Sequence, residues 1–224
     1  MSLISRIILQ CVAAFVVAFG LLFLPAWTLD FWEAWVYLGI VFILMVVFSV
    51  YYYKHDPALV ERRMQFREKV NEQKWIMRAG TLISLIGLVI PSLDHRFGWT
   101  RQLFGAVPLR VKIVAQVLAL TGYLVTMWVI HVNRFAARTI RVEKGQQVIS
   151  SRPYRVVHHP LFAGGVVMWL ASAPALGSYV ALPFFALLIP IFVARLLSEE
   201  KVLRQELPGY AEYCEGTRYR LVPY

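Results

Sequence analysis

Long apolar stretches separated by short polar segments dominate the pattern of this chain. Four stretches have the length and composition of a membrane-spanning helix, which needs about 17–25 mostly apolar residues; they are residues 7–24, 35–52, 76–93 and 111–131. A fifth apolar block, residues 161–197, is too long for one span and contains Pro174, Gly177 and Ser178 near its middle. The pattern predicts an all-α polytopic membrane protein of six spans, the last two forming a tight hairpin. Five spans are the alternative if this block is not a hairpin.

The first region, residues 1–127, is predicted to hold the first spans and a surface helix. We expect the first apolar stretch to be a retained span and not a cleaved signal peptide, because it exceeds the usual apolar run of about 7–15 residues. The surface helix is predicted for residues 56–75, where charges alternate in sign and apolar residues are sparse. A solvated connector is the alternative. Asp56 before Pro57 is typical of a helix start.

Charge and composition support the membrane interpretation. Of the 224 residues 59% are hydrophobic, whereas soluble domains contain about 45–50%. The net charge of +10 would favour a nucleic-acid partner, but its distribution does not. With six spans, one side of the membrane holds both termini and all of the 23 Lys and Arg except Arg96, Arg101, Arg110 and Lys112. Basic residues concentrate on the cytoplasmic side, so we expect an integral multi-pass protein with cytoplasmic termini, surrounded by membrane lipids, as in a bacterial inner membrane.

The second region, residues 128–224, contains three polar segments, 150–165, 195–200 and 207–223, at the predicted water-facing ends of its helices. Ionisable groups at such positions indicate a binding site. His159-Pro160 is predicted to open a helix whose N-terminus favours an anion. Two of these residues have a structural role as the alternative to ligand binding. Gly164 can serve helix packing, and Glu199 can pair with a cation four residues away.

The sequence argues against metal binding, nucleotide-binding folds and a disulfide framework. His158 and His159 are adjacent and point about 100° apart on a helix, and no further ligands have zinc-like spacing, so no metal site is predicted. The dinucleotide, P-loop, nucleophile-elbow and HExxH motifs do not occur. Two cysteines, Cys11 and Cys214, indicate no disulfide framework. These patterns favour a membrane-embedded enzyme or binder with a cytoplasmic polar pocket in the C-terminal half.

Taken in order, the polar segments resemble the isoprenylcysteine carboxyl methyltransferase family, which is related to the phospholipid N-methyltransferases. The matching elements are Asn133, RPYRVVHHPLFAG at 152–164, Arg195 with Glu199-Glu200 and Leu203, LPGYAEY at 207–213 and RYRLVP at 218–223. A weaker echo is ERRM at 61–64 with Lys74-Trp75. The resemblance implies an S-adenosylmethionine-dependent membrane methyltransferase acting on a lipidic or small hydrophobic acceptor, either a carboxylate or an amine.

The resemblance also implies which residues act. Those expected to bind the cofactor are Tyr154, His159, Pro160, Phe162, Gly164, Glu199, Glu200, Tyr210 and Tyr213, and those expected to be catalytic are His158, Arg195 and Glu200. Carboxylates and aromatic faces suit a cofactor with a cationic amine and sulfonium. The chain departs from the family pattern at Arg152, where Gly is usual, at His158, where Arg is usual, and at Phe162, where Tyr is common.

Two other functions remain open at this stage. A sterol-reductase-like NADPH-dependent membrane oxidoreductase carries a similar His-Pro segment in its C-terminal half. A non-catalytic membrane protein that retains the fold is the third possibility, and His158 is its main support, because an imidazole holds a carboxylate less firmly near neutral pH than a guanidinium does.

Overall fold

The computed structural model describes residues 2–64, 71–135, 142 and 145–221, and those residues form ten helices. In chain order the helices are α1 Leu3–Phe23, α2 Trp32–His55, α3 Pro57–Arg63, α4 Asn71–Phe97, α5 Trp99–Phe104, α6 Leu109–Val132, α7 Pro160–Ala175, α8 Leu182–Ala186, α9 Leu188–Glu206 and α10 Tyr210–Gly216. Within this described part the β-structure consists of one isolated bridge, between Val157 and Tyr219. The all-α prediction is confirmed.

Five helical segments have the length and hydropathy of membrane spans: Leu3–Phe23, Trp32–His55, Gln73–Phe97, Leu109–Val132 and Leu182–Glu206, the last made of α8 and α9. The polytopic membrane fold is therefore confirmed. The block at 161–197 divides as expected, because α7 ends at Ala175 and α8 begins at Leu182. The six-span count stays a prediction, since the 16 residues of α7 extend only about 24 Å along the helix axis.

The predicted helix start at Asp56 is confirmed, but the predicted surface helix is shorter than expected. The Asp56 carboxylate accepts a hydrogen bond from the Leu59 amide at 3.0 Å, with Pro57 in the first turn. Helix α3 ends at Arg63, and residues 65–70 lie outside the described part. Residues 71–75 belong to α4, where they continue into the apolar helix and do not form a separate surface element.

Helices α6 and α7 pack with almost no space between their backbones. A Cβ atom built on Gly122 would lie 2.6 Å from the Gly164 carbonyl oxygen, and one on Gly164 would lie 2.9 Å from the Gly122 carbonyl oxygen and from Oγ1 of Thr126. Only glycine permits such an approach. The packing interpretation of Gly164 fits this contact, which fixes the position of the first turns of α7.

Buried polar contacts hold the turn between α7 and α8 at the end of the bundle where α6 begins. The Asp94 carboxylate accepts hydrogen bonds from Oγ of Ser178 at 2.5 Å and from both the amide and the hydroxyl of Thr100. Gln116 donates from Nε2 to the carbonyl oxygen of Ala175 at 3.1 Å. Buried polar groups stabilise a fold when they are paired in this way, so these contacts fix the turn between α7 and α8 against α4, α5 and α6.

Candidate active site

A cavity of about 750 Å³ lies at the opposite end of α6 and extends along the apolar helices. This volume is within the usual range for small-molecule sites, about 300–1,000 Å³. The side chains at its polar end include Arg63, Asn133, Tyr154, His158, His159, Arg195, Glu199, Tyr210 and Tyr213. Its apolar arm is lined by residues that include Ala14, Val17, Ala18, Leu21, Leu85, Leu88, Trp169, Leu188 and Phe192. One chamber thus offers two chemically different environments.

Residues of α1 and α4 line the apolar arm. Val17 on α1 and Leu85 on α4 both line the cavity, and they are 54% and 37% exposed. Ala14, one turn before Val17, is also exposed and lines the same arm.

Backbone hydrogen bonds join the start of α7 to the C-terminal segment. The amide of His158 donates to the Tyr219 carbonyl at 2.9 Å, and the amide of His159 donates to the Arg220 carbonyl at 3.0 Å. His159 is the N-cap residue of α7, Pro160 occupies the first turn, and no side chain of the described residues caps the amides there. This helix N-terminus borders the cavity and favours a negatively charged group.

The buried Glu200 carboxylate connects three elements. Its Oε1 lies 3.4 Å from Nδ1 of His158 and 3.3 Å from Nε2 of His159, and its Oε2 lies 3.4 Å from Nε of Arg220. Glu200 is only 4% exposed and is not among the cavity-lining residues of the described part. It therefore ties α9 to the start of α7 and to the C-terminal segment.

Glu199 has a different environment from its neighbour. It is half-buried, lines the cavity, and forms no ion pair with any residue that the structure describes. Arg195, four residues earlier, donates from Nη1 to Oε1 of the buried Gln73 at 3.4 Å. Glu199 thus places a carboxylate on the cavity wall.

Three tyrosines shape the rest of the polar end. Asn133 donates from Nδ2 to the Tyr154 hydroxyl at 2.8 Å, and the Tyr213 hydroxyl donates to the Tyr154 carbonyl at 2.6 Å. Burial raises the pKa of Tyr154 and raises the pKa of Tyr213 to about 12, so both hydroxyls stay protonated near neutral pH. The Tyr210 hydroxyl is buried beside the Cys214 thiol, and burial raises its pKa as well.

The structure brings most of the sequence-predicted residues to this cavity. Those that line it are Tyr154, His158, His159, Pro160, Phe162, Arg195, Glu199, Tyr210 and Tyr213. Gly164 faces α6, and Glu200 faces the two histidines. The roles assigned to all of these residues stay predictions. In the described ranges, no group of three or more His, Cys, Asp or Glu is placed to hold a metal ion.

Sequence reasoning assigned no role to several residues that the cavity includes. Arg63 belongs to the ERRM motif at 61–64 and lines the polar end, although it is far in sequence from the other polar residues there. Asn133 was part of the resemblance and orients Tyr154. Gln73, which does not line the cavity but accepts a hydrogen bond from Arg195, was not predicted, because a single glutamine before an apolar run carries no distinctive pattern.

The fold and cavity define a polytopic helical membrane protein whose chamber is polar at one end and apolar along the rest. Residues 113–205 match the sequence model of the isoprenylcysteine carboxyl methyltransferase (ICMT) family. The match covers α6, α7, α8 and α9 almost completely, and it confirms the resemblance carried by the motifs. It supports a membrane methyltransferase assignment for this region.

A curated relative matches 38% of the chain. It is the Delta(14)-sterol reductase TM7SF2 of Mus musculus, 32% identical over 91 residues, which is 38% of this chain and 21% of that protein. The chain thus covers about a fifth of the relative's length. No solved structure matches the chain.

Proposed function

We propose that this protein transfers a methyl group from S-adenosylmethionine to a lipidic acceptor within the membrane. The observation that carries the proposal is the shape of one cavity. Its polar end offers a carboxylate and aromatic side chains, and its apolar arm is lined by exposed apolar residues of α1 and α4. We infer a lateral route for the acceptor between these two helices. The family match at residues 113–205 supports methyl transfer as the reaction.

The residues of the polar end fit the charges of this cofactor. Glu199 suits its cationic amino group and sulfonium, because charge-assisted contacts are roughly twice as strong as neutral ones. The N-terminus of α7 at His159 and Pro160 suits its carboxylate. The buried Tyr210 hydroxyl has no hydrogen bond of normal geometry to the residues described, and it remains a donor for a bound polar group. When bound, the cofactor supplies an electrophilic methyl group.

The charges beside the apolar arm favour an anionic acceptor. The guanidinium groups of Arg63 and Arg195 line the polar end, opposite in sign to Glu199. A carboxylate accepts a methyl group with an oxygen lone pair while the carbon–sulfur bond breaks, and no proton has to be removed. The contribution of the protein is then positioning, electrostatics and exclusion of water. We infer that a lipid carboxylate is the preferred acceptor, with an amine as the alternative that would require a base.

A second candidate function is an NADPH-dependent reduction of a sterol-like lipid. It is favoured by the similarity to the sterol reductase over 91 residues. The same apolar arm would suit such a substrate, so the two functions differ mainly in the cofactor that the polar end accepts.

Calorimetric titration of the detergent-purified protein with S-adenosylmethionine and, separately, with NADPH tests the proposal. We expect binding of S-adenosylmethionine alone. A second assay identifies the acceptor: methyl-labelled S-adenosylmethionine is offered with a long-chain carboxylic acid or with an amine of equal chain length. The two products are distinguished because mild alkali cleaves the methyl ester and does not cleave the methylamine. Binding of NADPH alone would support the reductase, and binding of neither cofactor would support a non-catalytic protein.

A further inference from the structure

We propose that the apolar arm of the cavity is a channel for one hydrocarbon tail of the acceptor, and that Leu21 and Leu88 at its closed end limit the length of that tail. The identity of the head group rests on the proposed function, whereas the channel is defined by the helices that line it. The acceptor class that follows is a single-tailed lipid whose head group lies at the polar end.

Two helices present one face each to the arm. The lining residues run from Ala14 to Leu21 on α1 and from Ile76 to Leu88 on α4. Along both helices they recur at the spacing of three or four residues that keeps side chains on the same face. Trp169 on α7 lines the same space. The arm is therefore one channel along the helix axes and not a set of separate surface depressions.

The wall of this channel is apolar even where its sequence contains hydroxyl groups. Thr81 and Ser84 both line the arm. The Thr81 hydroxyl donates to the carbonyl oxygen of Met77 at 2.8 Å. The Ser84 hydroxyl donates to the carbonyl oxygen of Gly80 at 2.8 Å. Both hydroxyls are thus paired within α4, and they do not need a polar partner from an occupant of the arm.

A hydrogen bond between α1 and α4 lies at the deep end of the arm. The hydroxyl of Ser92 donates to the Leu21 carbonyl oxygen at 3.1 Å and also lies 3.3 Å from the Leu88 carbonyl oxygen. Ser92 is fully buried, and Leu88 packs against the buried cluster that contains Leu22. In the described parts of α1 and α4, Leu21 and Leu88 are the last residues that line the cavity. The two helices therefore meet here, and these two leucines form the floor of the arm.

The dimensions of the arm fit one tail of ordinary lipid length. From Ile76 to Leu88 the axis of α4 rises about 18 Å, and one leaflet occupies about 15 Å, half of the hydrocarbon core of a bilayer. The width is limited because α4 and α9 are in close contact: a Cβ atom on Gly80 would lie 3.1 Å from Cγ2 of Ile191. In the proposed function the cofactor occupies the polar end of the same cavity of about 750 Å³. A second tail of equal length therefore has no channel of its own.

Trp169 can report how deep a tail reaches. Its ring stacks on the ring of Phe185 at a centroid distance of 5.7 Å. Phe185 contacts α4 at Gly87, where an added Cβ atom would lie 2.8 Å from Cε1 of that ring. Because Gly87 directly precedes Leu88, Trp169 lies at the level of the floor.

Fluorescence quenching with brominated acids uses this position and needs no cofactor. Bromine quenches an indole at short range, so a long-chain carboxylic acid brominated near its end should quench Trp169 more than the same acid brominated beside the carboxylate. The emission difference between the wild type and Trp169→Phe isolates the signal of this tryptophan from that of the others. Stronger quenching by bromine beside the carboxylate would overturn the proposal, since the tail would then not point toward the floor.

A series of straight-chain carboxylic acids of increasing length, competed against the end-brominated acid, measures the length limit. Affinity should rise about fourfold with each methylene that enters the arm and should stop rising once the tail reaches the floor. Leu88→Ala should move this break to longer acids, and Leu88→Phe should move it to shorter ones. Leu21→Ala deepens the other half of the floor and should act like Leu88→Ala, so it decides the question if that variant does not fold.

Leu82 provides the matched control on the same helix. It is 59% exposed and is not among the cavity-lining residues of the described part, so Leu82→Ala and Leu82→Phe should leave the break unchanged. Longer acids also partition more into detergent, but this partition is the same for every variant and cannot move the break in the Leu88 variants alone. Affinity that rises without a break, a break that Leu82 and Leu88 variants shift equally, or no binding of any acid would overturn the proposal.

The channel and the proposed function can fail separately, because the binding measurements are made without S-adenosylmethionine. If the acids show a break set by Leu88 while the protein neither binds S-adenosylmethionine nor transfers its methyl group, the proposed function fails and the channel stands. If methyl transfer has the same KM for acids of every length in the wild type and in Leu88→Phe, the channel fails and the proposed function stands.

Discussion

Glu199 and Glu200 are adjacent on α9, yet Glu199 lines the cavity while Glu200 is 4% exposed and contacts His158, His159 and Arg220. Successive residues of a helix point about 100° apart, so one of two neighbours can face a ligand while the other faces the protein. The acidic pair therefore divides into a candidate ligand-binding carboxylate and a carboxylate that joins three elements.

Replacement of Glu199 by glutamine should weaken cofactor binding without unfolding the bundle. The substitution removes a charge that has no ion-pair partner among the described residues, and a charge-assisted contact contributes about 1.5–3 kcal/mol. We expect the dissociation constant for S-adenosylmethionine to rise at least about tenfold by calorimetry, with an unchanged melting temperature. Glu206→Gln, at an exposed position on the same helix, is the matched control. Equal affinity in both variants would remove Glu199 from the site.

Replacement of Glu200 by alanine should instead lower stability. It leaves His158 and His159 buried without their common acceptor, and a buried donor left without a partner costs about 1–3 kcal/mol. The lower end of that range is expected here, because the Arg220 side chain is 57% exposed and regains water. Thermal unfolding in detergent provides the measurement. A melting temperature equal to that of the wild type would contradict the structural role assigned to this carboxylate.

Gly164 and Gly165 provide a matched pair for the packing of α7. Gly164→Ala places a methyl group 2.9 Å from the Gly122 carbonyl oxygen, whereas Gly165→Ala meets only the Phe192 ring at 3.5 Å. The first substitution should destabilise the fold by about 1–3 kcal/mol through overpacking. The second should be neutral or stabilise the helix by up to about 1 kcal/mol. Unfolding of the two variants side by side checks this, and equal effects would mean that α6 and α7 are not in close contact.

Much of the fold could be predicted, because a membrane span is recognised from a long apolar stretch of sequence without knowledge of its tertiary contacts. The hairpin turn followed from Pro174, Gly177 and Ser178, and α7 does end at Ala175. The buried contacts of Asp94 with Thr100 and Ser178 could not be predicted, because they join residues of three separate elements. Both ends of α7 were marked in the sequence, by His159-Pro160 and by the turn residues after Ala173, but the 16 residues between them were interpreted as a complete span.

The candidate site was predictable at the level of segments and less so at the level of side chains. Tyr154, Glu199 and Tyr210 line the cavity as their motifs indicated. The motif alone could not decide which of the two glutamates faces a ligand, because that depends on the rotation of α9. The contact of His158 with Thr217 could not be predicted either, since 59 residues separate them in sequence.

Alkaline pH should open the polar end through Tyr213. Burial raises the pKa of its hydroxyl from 10.0 to about 12, so between these values the unfolded chain loses the proton first. The stability that this group contributes is complete below about pH 10 and is lost as pH rises toward about 12. Tyr213→Phe removes the titrating group and its bond to the Tyr154 carbonyl. The variant should be less stable at neutral pH and show a shallower alkaline loss in unfolding experiments; an identical pH slope would contradict this assignment.

The apolar arm can be tested with two neighbouring alanines on α1. Ala13 and Ala14 are both exposed, but only Ala14 is among the cavity-lining residues of the described part. Ala14→Phe should obstruct the lateral route, so we expect a higher KM for a long-chain acceptor with S-adenosylmethionine affinity unchanged. Ala13→Phe adds the same side chain on the lipid side and should behave as the wild type. The two variants carry the same added side chain at neighbouring positions of α1. A rise in KM confined to Ala14→Phe would therefore be caused by obstruction of the apolar arm. Equal KM values in the two variants would place acceptor entry elsewhere.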